Sequence, residues 1–297
     1  MSFPNELKEK TEEVNRLMEK TMSQDTGLSD YLMEAMRYSV LAPGKRLRPI
    51  LMQETAKLFK EDVRELPYFC EAIELIHSYS LVHDDMPCID NDEYRRGRKT
   101  THAVYGETTA LLAGDGLLNF AYETATQAFF DTDDEKKVAR ALNVLSRKAG
   151  IFGMVGGQAV DVKSEKAKSR LTKEELLYIH ENKTAALIEA SMMIGAILAG
   201  ASDEAVNLLE EAGSLIGIAF QIRDDILDVE GTFEELGKPI GSDEDNDKET
   251  YVTLFGLEKA REDVESFSKR AIDILTSFPT KNDFLTELVK SLISRKK

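Results

Sequence analysis

Leu75 to Asp92 reads LIHSYSLVHDDMPCIDND. Leu75, Ile76, Leu81 and Val82 predict an apolar helical run, and it ends in four acids, Asp84, Asp85, Asp90 and Asp92. Pro87 lies just past the first pair, so the helix should bend or stop there, because proline lacks an amide donor and restricts the residue before it. A second stretch, LIGIAFQIRDDILD, repeats the pattern. Its Leu215, Ile216, Ile222, Asp224 and Asp225 stand at the spacing of Leu75, Ile76, Val82, Asp84 and Asp85. Two apolar helices that each end in paired aspartates imply two carboxylate clusters facing each other across one cavity. A solvated acidic helix end explains either cluster alone. It explains both together less well, since a buried helix does not normally gather like charges without a counter-ion.

Asp224 and Asp228 lie four residues apart, about 40° around a helix and one turn along it, with Gln221 one turn earlier. Paired carboxylates beside an amide suit a hard cation such as Mg²⁺, which keeps several waters and takes its other ligands from substrate phosphates. A calcium-binding loop is excluded at Asp243, Asp245 and Asp247. There Lys248 replaces the required glycine and Leu254 the final glutamate. Lys45, Arg46, Arg48, Arg95, Arg96, Lys183 and Lys238 stand beside glycines, helix ends or acids, where arginine can grip phosphate bidentately. For each of them a surface ion pair is the plain alternative. His77 sits two turns before Asp84 on the same face, where an ordinary core histidine is the default. His83, His102 and His180 have no ligand spacing. No Gly-x-Ser-x-Gly is present, and neither Cys70 nor Cys88 has a base near it in sequence, so a protein nucleophile has little support.

The rest of the chain reads as helices. Candidates run over 6–22, 27–41, 107–130 and 133–148. Another starts at the capping box Thr172-Lys-Glu-Glu175 and continues to about Ala199, and Ser202 caps a further one. Asp92 to Thr101 reads as a polar loop, Gly150 to Gly157 as glycine-punctuated, and one or two helices are expected after Lys248. With no linker and no convincing strand, the expectation is one all-α domain over residues 1–297. The 42% hydrophobic content of 297 residues supplies a sizeable core. A net charge of −16 disfavours nucleic acid and anionic membranes, so an anionic substrate must be held by local cations or metal. The charged N-terminus is unlike a signal peptide, and the longest apolar run, 185–200, is too short to span a bilayer. A reduced, cytoplasmic chain without stable membrane insertion is expected.

The residues DDMPCIDND followed by EYRRG resemble the first aspartate-rich motif of the trans-isoprenyl diphosphate synthases, in the DDxxxxD form of bacterial farnesyl and plant-type geranylgeranyl enzymes. DDILD resembles the second motif. Gly44-Lys45-Arg46, GMVGGQAVD ending at Asp161, Lys183-Thr184, Gln221 and Gly237-Lys238-Pro239 resemble further landmarks in the right order. The resemblance implies the all-α isoprenoid synthase fold around a central cavity, a homodimer, and about three Mg²⁺ ions. Asp84, Asp85 and Asp90 would hold two ions and Asp224, with Asp228, a third. Arg95, Lys183 and Lys238 would help bind an allylic diphosphate, and Lys45, Arg48, His77 and Arg96 isopentenyl diphosphate. The Lys183 carbonyl, Thr184 hydroxyl and Gln221 amide would stabilise an allylic cation.

In that family, the residues four and five before the first aspartate pair set the cavity floor, here Ser80 and Tyr79. Helical geometry alone puts Ser80 under Asp84 and Tyr79 to one side. An aromatic residue at the second position resembles synthases that stop at farnesyl diphosphate. A geranyl or geranylgeranyl diphosphate synthase, a terpene cyclase and a non-catalytic helical subunit are the alternatives.

Overall fold

The computed structural model describes residues 2–167, 170–230 and 249–293. Among the described residues are fourteen α-helices, two short 3₁₀ turns, one π-helical segment and one two-stranded hairpin, so the fold is all-α. The backbone divides into two compact units, Met1–Gln53 with Asp62–Leu142, and Glu54–Glu61 with Asn143–Lys297.

The first unit contains α1 (Phe3–Thr21), α2 (Asp30–Val40), α4 (Leu66–Asp84), α5 (Thr101–Tyr105) and α6 (Glu107–Gln127). Two further helices, α3 (Leu47–Ala56) and α7 (Glu135–Ala149), begin in it. Its organising element is α4, which Pro67 opens at a position where the missing amide costs nothing. Phe69, Ile73, Leu75 and Ile76 of α4 are fully buried, each contributing on the order of 1.5–3 kcal/mol of hydrophobic stabilisation. Ala110, Ala113, Gly114, Leu117 and Ala121 make a buried stripe of mostly small residues at helical spacing on α6, the helix against which α4 packs. At Gly114 a Cβ would lie 2.0 Å from Nε2 of His83, so the stripe closes only around a glycine.

The stretch expected to be a polar loop after α4 holds β1 (Tyr94–Arg95) and β2 (Arg98–Lys99), paired antiparallel. Arg96 and Gly97 both have positive φ, 52° and 75°, which is the two-residue hairpin turn whose twist matches that of the strands. Strands of two residues leave no alternating pattern for a sequence to show.

The second unit contains α8 (Met154–Ala167), α9 (Lys173–Ile179), a π-helical segment (His180–Ala185), α10 (Ala186–Leu198), α11 (Asp203–Glu230), α12 (Tyr251–Phe255), α13 (Leu257–Ser277) and α14 (Asp283–Ile293). Thr172 and Glu175 form the expected capping box, and the Ser202 hydroxyl caps α11 through the Ala205 amide. The uninterrupted helix expected from Thr172 to Ala199 is instead broken by the π segment and ends at Leu198. Three helices, rather than one or two, follow Glu249. Every residue of α10 is buried. Its one charge, Glu189, is held by Lys148, which also reaches Glu210 at 2.6 Å. By length and composition α11 could cross a membrane, unlike the shorter run singled out in the sequence. Half of its most apolar window is buried in the protein.

Candidate active site

In the first unit, α4 ends where Pro87 requires, and the chain folds back over its last turn. The Asp90 amide donates to the Asp84 carbonyl at 2.9 Å, and the Asp92 amide to the Asp85 carbonyl at 3.1 Å. This loop, with Asn91 at positive φ, brings Asp90 back to the Asp84–Asp85 pair. Asp85 is almost fully buried and accepts from Arg95 Nε at 2.5 Å. Burial nevertheless pushes its carboxyl up, against the pull of Arg95. Both aspartates stand at the C-terminal end of α4, where the helix dipole already places negative charge.

Beside it opens a pocket of about 500 Å³, mouth included, lined among others by Arg46, His77, Asp85, Arg95, Arg96 and Arg98. The arginines divide by role. Arg46, at φ 49°, is buried and committed to Glu74 at 2.8 Å, to Asn15 and to the carbonyls of Val40 and Ala42. Arg48 has its Nε buried with no partner among the described residues. Burial, outweighing Glu74, brings its guanidinium down to about 10, and the charge of Arg96 lowers it further. Arg96 lies over Gly44, where a Cβ would come within 2.6 Å of its guanidinium, and bonds the Pro43 carbonyl. Burial first, and then the charges of Arg48, Arg96, Arg46 and Arg95, hold His77 well below its ordinary value. A neutral imidazole amid arginines, one of them with an orphaned donor, has the chemistry to accept an anion. Lys45 is exposed next to Gly44. Its carbonyl accepts from Thr11, and no side-chain partner is evident for it among the described residues.

Tyr79 is buried and meets the His83 ring edge-on at 5.4 Å. Burial raises its hydroxyl, as do Asp84 and, from α6, Tyr122 and Asp115. Ser80 is half-buried and turns its hydroxyl back to the His77 carbonyl.

In the second unit, Lys183 and Thr184 lie inside the π segment, a kind of helix irregularity frequent at functional sites. Close packing fixes it. A Cβ on Gly157 of α8 would stand 2.3 Å from the Lys183 amide nitrogen, and one on Gly217 of α11 would stand 2.4 Å from Ala185 Cα. Lys183 Nζ donates to Asp161 Oδ2 at 2.5 Å, and the Thr184 hydroxyl to Gln221 Oε1 at 3.0 Å. Asp224 is half-buried and Asp228 buried, both on α11. Asp225 between them accepts the Tyr251 amide at 2.7 Å, and so caps the first turn of α12. Lys238 lies outside the described residues, as do Gly237, Pro239 and the loop tested for calcium spacing from Asp243 to Lys248.

Among the described residues, no three His, Cys, Asp or Glu side chains meet as a closed metal cage. A magnesium ion that retains waters and phosphate oxygens needs no such cage, only one or two carboxylates. The other histidines serve packing. His83 contacts the Leu111 carbonyl, His102 the Asp92 carbonyl, and His180 stacks on Tyr251. Cys70 is buried, and its thiol is pushed up by that burial. The Asp161–Lys183 pair and the buried Arg46–Glu74 pair were not evident in the sequence, because each joins residues that only the fold brings together.

The polyprenyl synthetase family profile matches residues 29–290. Farnesyl diphosphate synthase of Bacillus subtilis is 44% identical over 90% of each chain. The large subunit 1 of the heterodimeric geranylgeranyl pyrophosphate synthase of Arabidopsis thaliana is 44% identical over 91% of this chain and 72% of that one. Among solved structures, a Helicobacter pylori geranyltransferase complexed with magnesium and isoprenyl diphosphate superposes with a TM-score of 0.81 at 32% identity, covering 99% of this chain and 97% of that one. The chain belongs to the polyprenyl synthetase family, and its fold is the all-α isoprenoid synthase fold.

Proposed function

We propose that this chain is a Mg²⁺-dependent prenyltransferase. It condenses isopentenyl diphosphate with dimethylallyl and then geranyl diphosphate to give farnesyl diphosphate, releasing diphosphate at each step. The observation that carries this reading is the first unit's pocket. Neutral His77 and Arg96 line it beside Asp85 at the acidic end of α4, and half-buried Arg48, whose charge acts on His77, keeps a buried Nε with no partner among the described residues, so the three make an anion receptor. A terpene cyclase has no use for that second anion site. Relatives named for the same reaction support the assignment.

In this reading Asp84, Asp85 and Asp90 hold two Mg²⁺ ions, and Asp224 with Asp228 a third. Bound magnesium supplies neutralisation of the charge that builds on the departing diphosphate. Arg95 and Lys183, with Lys238, bind the allylic diphosphate, while Lys45, Arg48, His77 and Arg96 hold isopentenyl diphosphate. The allylic C1–O bond breaks and diphosphate leaves with the electron pair. The isopentenyl double bond then forms the new C–C bond at C1. The resulting cation loses a proton to the released diphosphate, and a new double bond forms. The Thr184 hydroxyl, Gln221 amide and Lys183 carbonyl face the positive charge with oxygen lone pairs, and no protein nucleophile is needed. Buried Tyr79, with Ser80, forms the floor that stops growth at fifteen carbons.

We further assign the whole of residues 1–297 to one catalytic domain that acts as a cytoplasmic homodimer, without nucleic acid or stable membrane insertion. The test is a product assay with isopentenyl diphosphate and either dimethylallyl or geranyl diphosphate, with and without Mg²⁺. A Mg²⁺-dependent C15 product is expected. A C20 product, which the similarity to a geranylgeranyl synthase subunit makes the second reading, keeps the chemistry and overturns the floor. No condensation with either primer overturns the function.

A further inference from the structure

Gln158 on α8 carries an unexplained cost. Its Oε1 and Nε2 are both sealed from solvent, and neither has a partner among the described residues. A buried amide normally satisfies both ends, and an orphaned donor and acceptor in one side chain call for a reason. Its surroundings supply one. Asp161 lies three residues on, about 60° around the helix, so the two side chains share one face of α8. Asp161 is itself buried and has Lys183 as its ion-pair partner. Gly157, next to Gln158, lets α8 approach the π segment so closely that a Cβ would strike the Lys183 backbone nitrogen. α8 and the lysine-bearing turn are therefore held in fixed register, while the lysine side chain is half-exposed and can swing.

We propose that Gln158 is a positioning residue that takes over Asp161 when Lys183 leaves it for the substrate. The proposal rests on the prenyltransferase reading, in which Lys183 binds the allylic diphosphate. When the lysine moves to phosphate, Asp161 is left as a buried, unpaired carboxylate, which is strongly unfavourable. The Gln158 amide donates Nε2–H to the vacated Asp161 oxygen, so Lys183 can be transferred without stranding the acid. The orphaned amide of the free protein is the waiting half of that exchange, a strained ground state that substrate binding relieves. Gln158 acts only through Asp161 and touches no reacting atom.

The experiment compares wild type, Gln158→Met, Asp161→Asn and the double variant, measuring steady-state constants for each substrate and the melting temperature without ligand. Methionine keeps the length and removes the unpaired polar atoms. The free Gln158→Met protein is expected to melt at a higher temperature than wild type, by a few degrees. Its kcat/KM for geranyl diphosphate should fall at least tenfold, with KM for isopentenyl diphosphate unchanged. In the Asp161→Asn background, the same substitution should change kcat/KM less than twofold, because the acid it serves is gone. A merely structural glutamine predicts the reverse, a lower melting temperature and losses that multiply in the double variant, and either result overturns the proposal. So does wild-type kcat/KM for geranyl diphosphate in Gln158→Met. If wild type forms no prenyl product, the enzyme assignment fails. If wild type is active and the variants do not follow this pattern, only the Gln158 proposal fails.

Discussion

The two acidic motifs share the spacing of an apolar helix ending in an Asp-Asp pair, but they are built differently. At the end of α4 a loop folds the backbone of the third acid back on the helix end: the Asp90 amide returns to the Asp84 carbonyl, and Arg95 holds Asp85. In α11 the acids ride on the helix itself, and the middle one, Asp225, is taken up in capping α12 through Tyr251. The same DD pair thus yields two division-of-labour patterns. In the first motif the second aspartate is held by Arg95, the arginine proposed to bind the allylic diphosphate. In the second it is a structural fastener, and the ligands proposed for the metal are its neighbours Asp224 and Asp228. Identical letters therefore do not carry identical roles. The backbone that follows them decides.

The largest test of this contrast removes one presumed ligand from each motif. Asp84→Ala and Asp224→Ala should each lower kcat by about 10³-fold, the scale of losing one electrostatic stabiliser of the departing group. Circular dichroism should show unchanged helicity. Activity within tenfold of wild type in either variant would remove that motif from the metal site.

Tyr79→Ala sharpens the contrast from the α4 side, because this residue has no counterpart role proposed on α11. Truncating a buried aromatic should cost roughly 3–5 kcal/mol in urea denaturation. It should also shift the product from C15 towards C20 in chromatography of the dephosphorylated products. An unchanged C15 product would leave Tyr79 as core alone.

Asp225→Ala should behave unlike its neighbour. Losing a charged cap on a buried amide should cost about 1.5–3 kcal/mol of stability, while kcat in the folded variant falls far less than in Asp224→Ala. If Asp225→Ala matches Asp224→Ala in kcat and keeps wild-type stability, the fastener assignment is wrong.

The smallest effect is the pH dependence set by His77, which only the first unit contains. Its folded value lies below the ordinary 6.5, depressed by burial and then by Arg48, Arg96, Arg46 and Arg95. The unfolded chain therefore binds the proton more readily. Stability is fully present above about pH 6.5 and drains away as pH falls below it, by up to about 1.4 kcal/mol per pH unit. His77→Gln should flatten this slope between pH 6.5 and 5.5 in urea titrations, and an equal slope in both proteins would contradict it.

Much of this was legible in the sequence. Pro87 stops α4, Thr172 and Ser202 cap where they should, and the apolar spacing of both motif helices is what buries them. Local chemistry writes such signals into a few adjacent residues. The hairpin at Tyr94–Lys99 and the π segment were not readable, since one is too short for alternation and the other depends on Gly157 and Gly217 arriving from other helices. The arginines show the same limit at the site. Arg46 and Arg48 look equivalent two residues apart, yet one is consumed by Glu74 and two carbonyls while the other keeps a bare donor.

The π segment also sets a rule about chain length. Regular helix turns about 100° per residue, so deleting a single residue between His180 and Ala185 would rotate everything before the deletion by about that angle relative to α10. With α10 buried on all sides, it is α9 that would have to turn, carrying the Thr172 cap around with it. Substitutions at many positions in this stretch change one side chain. A change in its residue count would re-aim a whole helix, so in this part of the chain the number of residues is itself a functional specification.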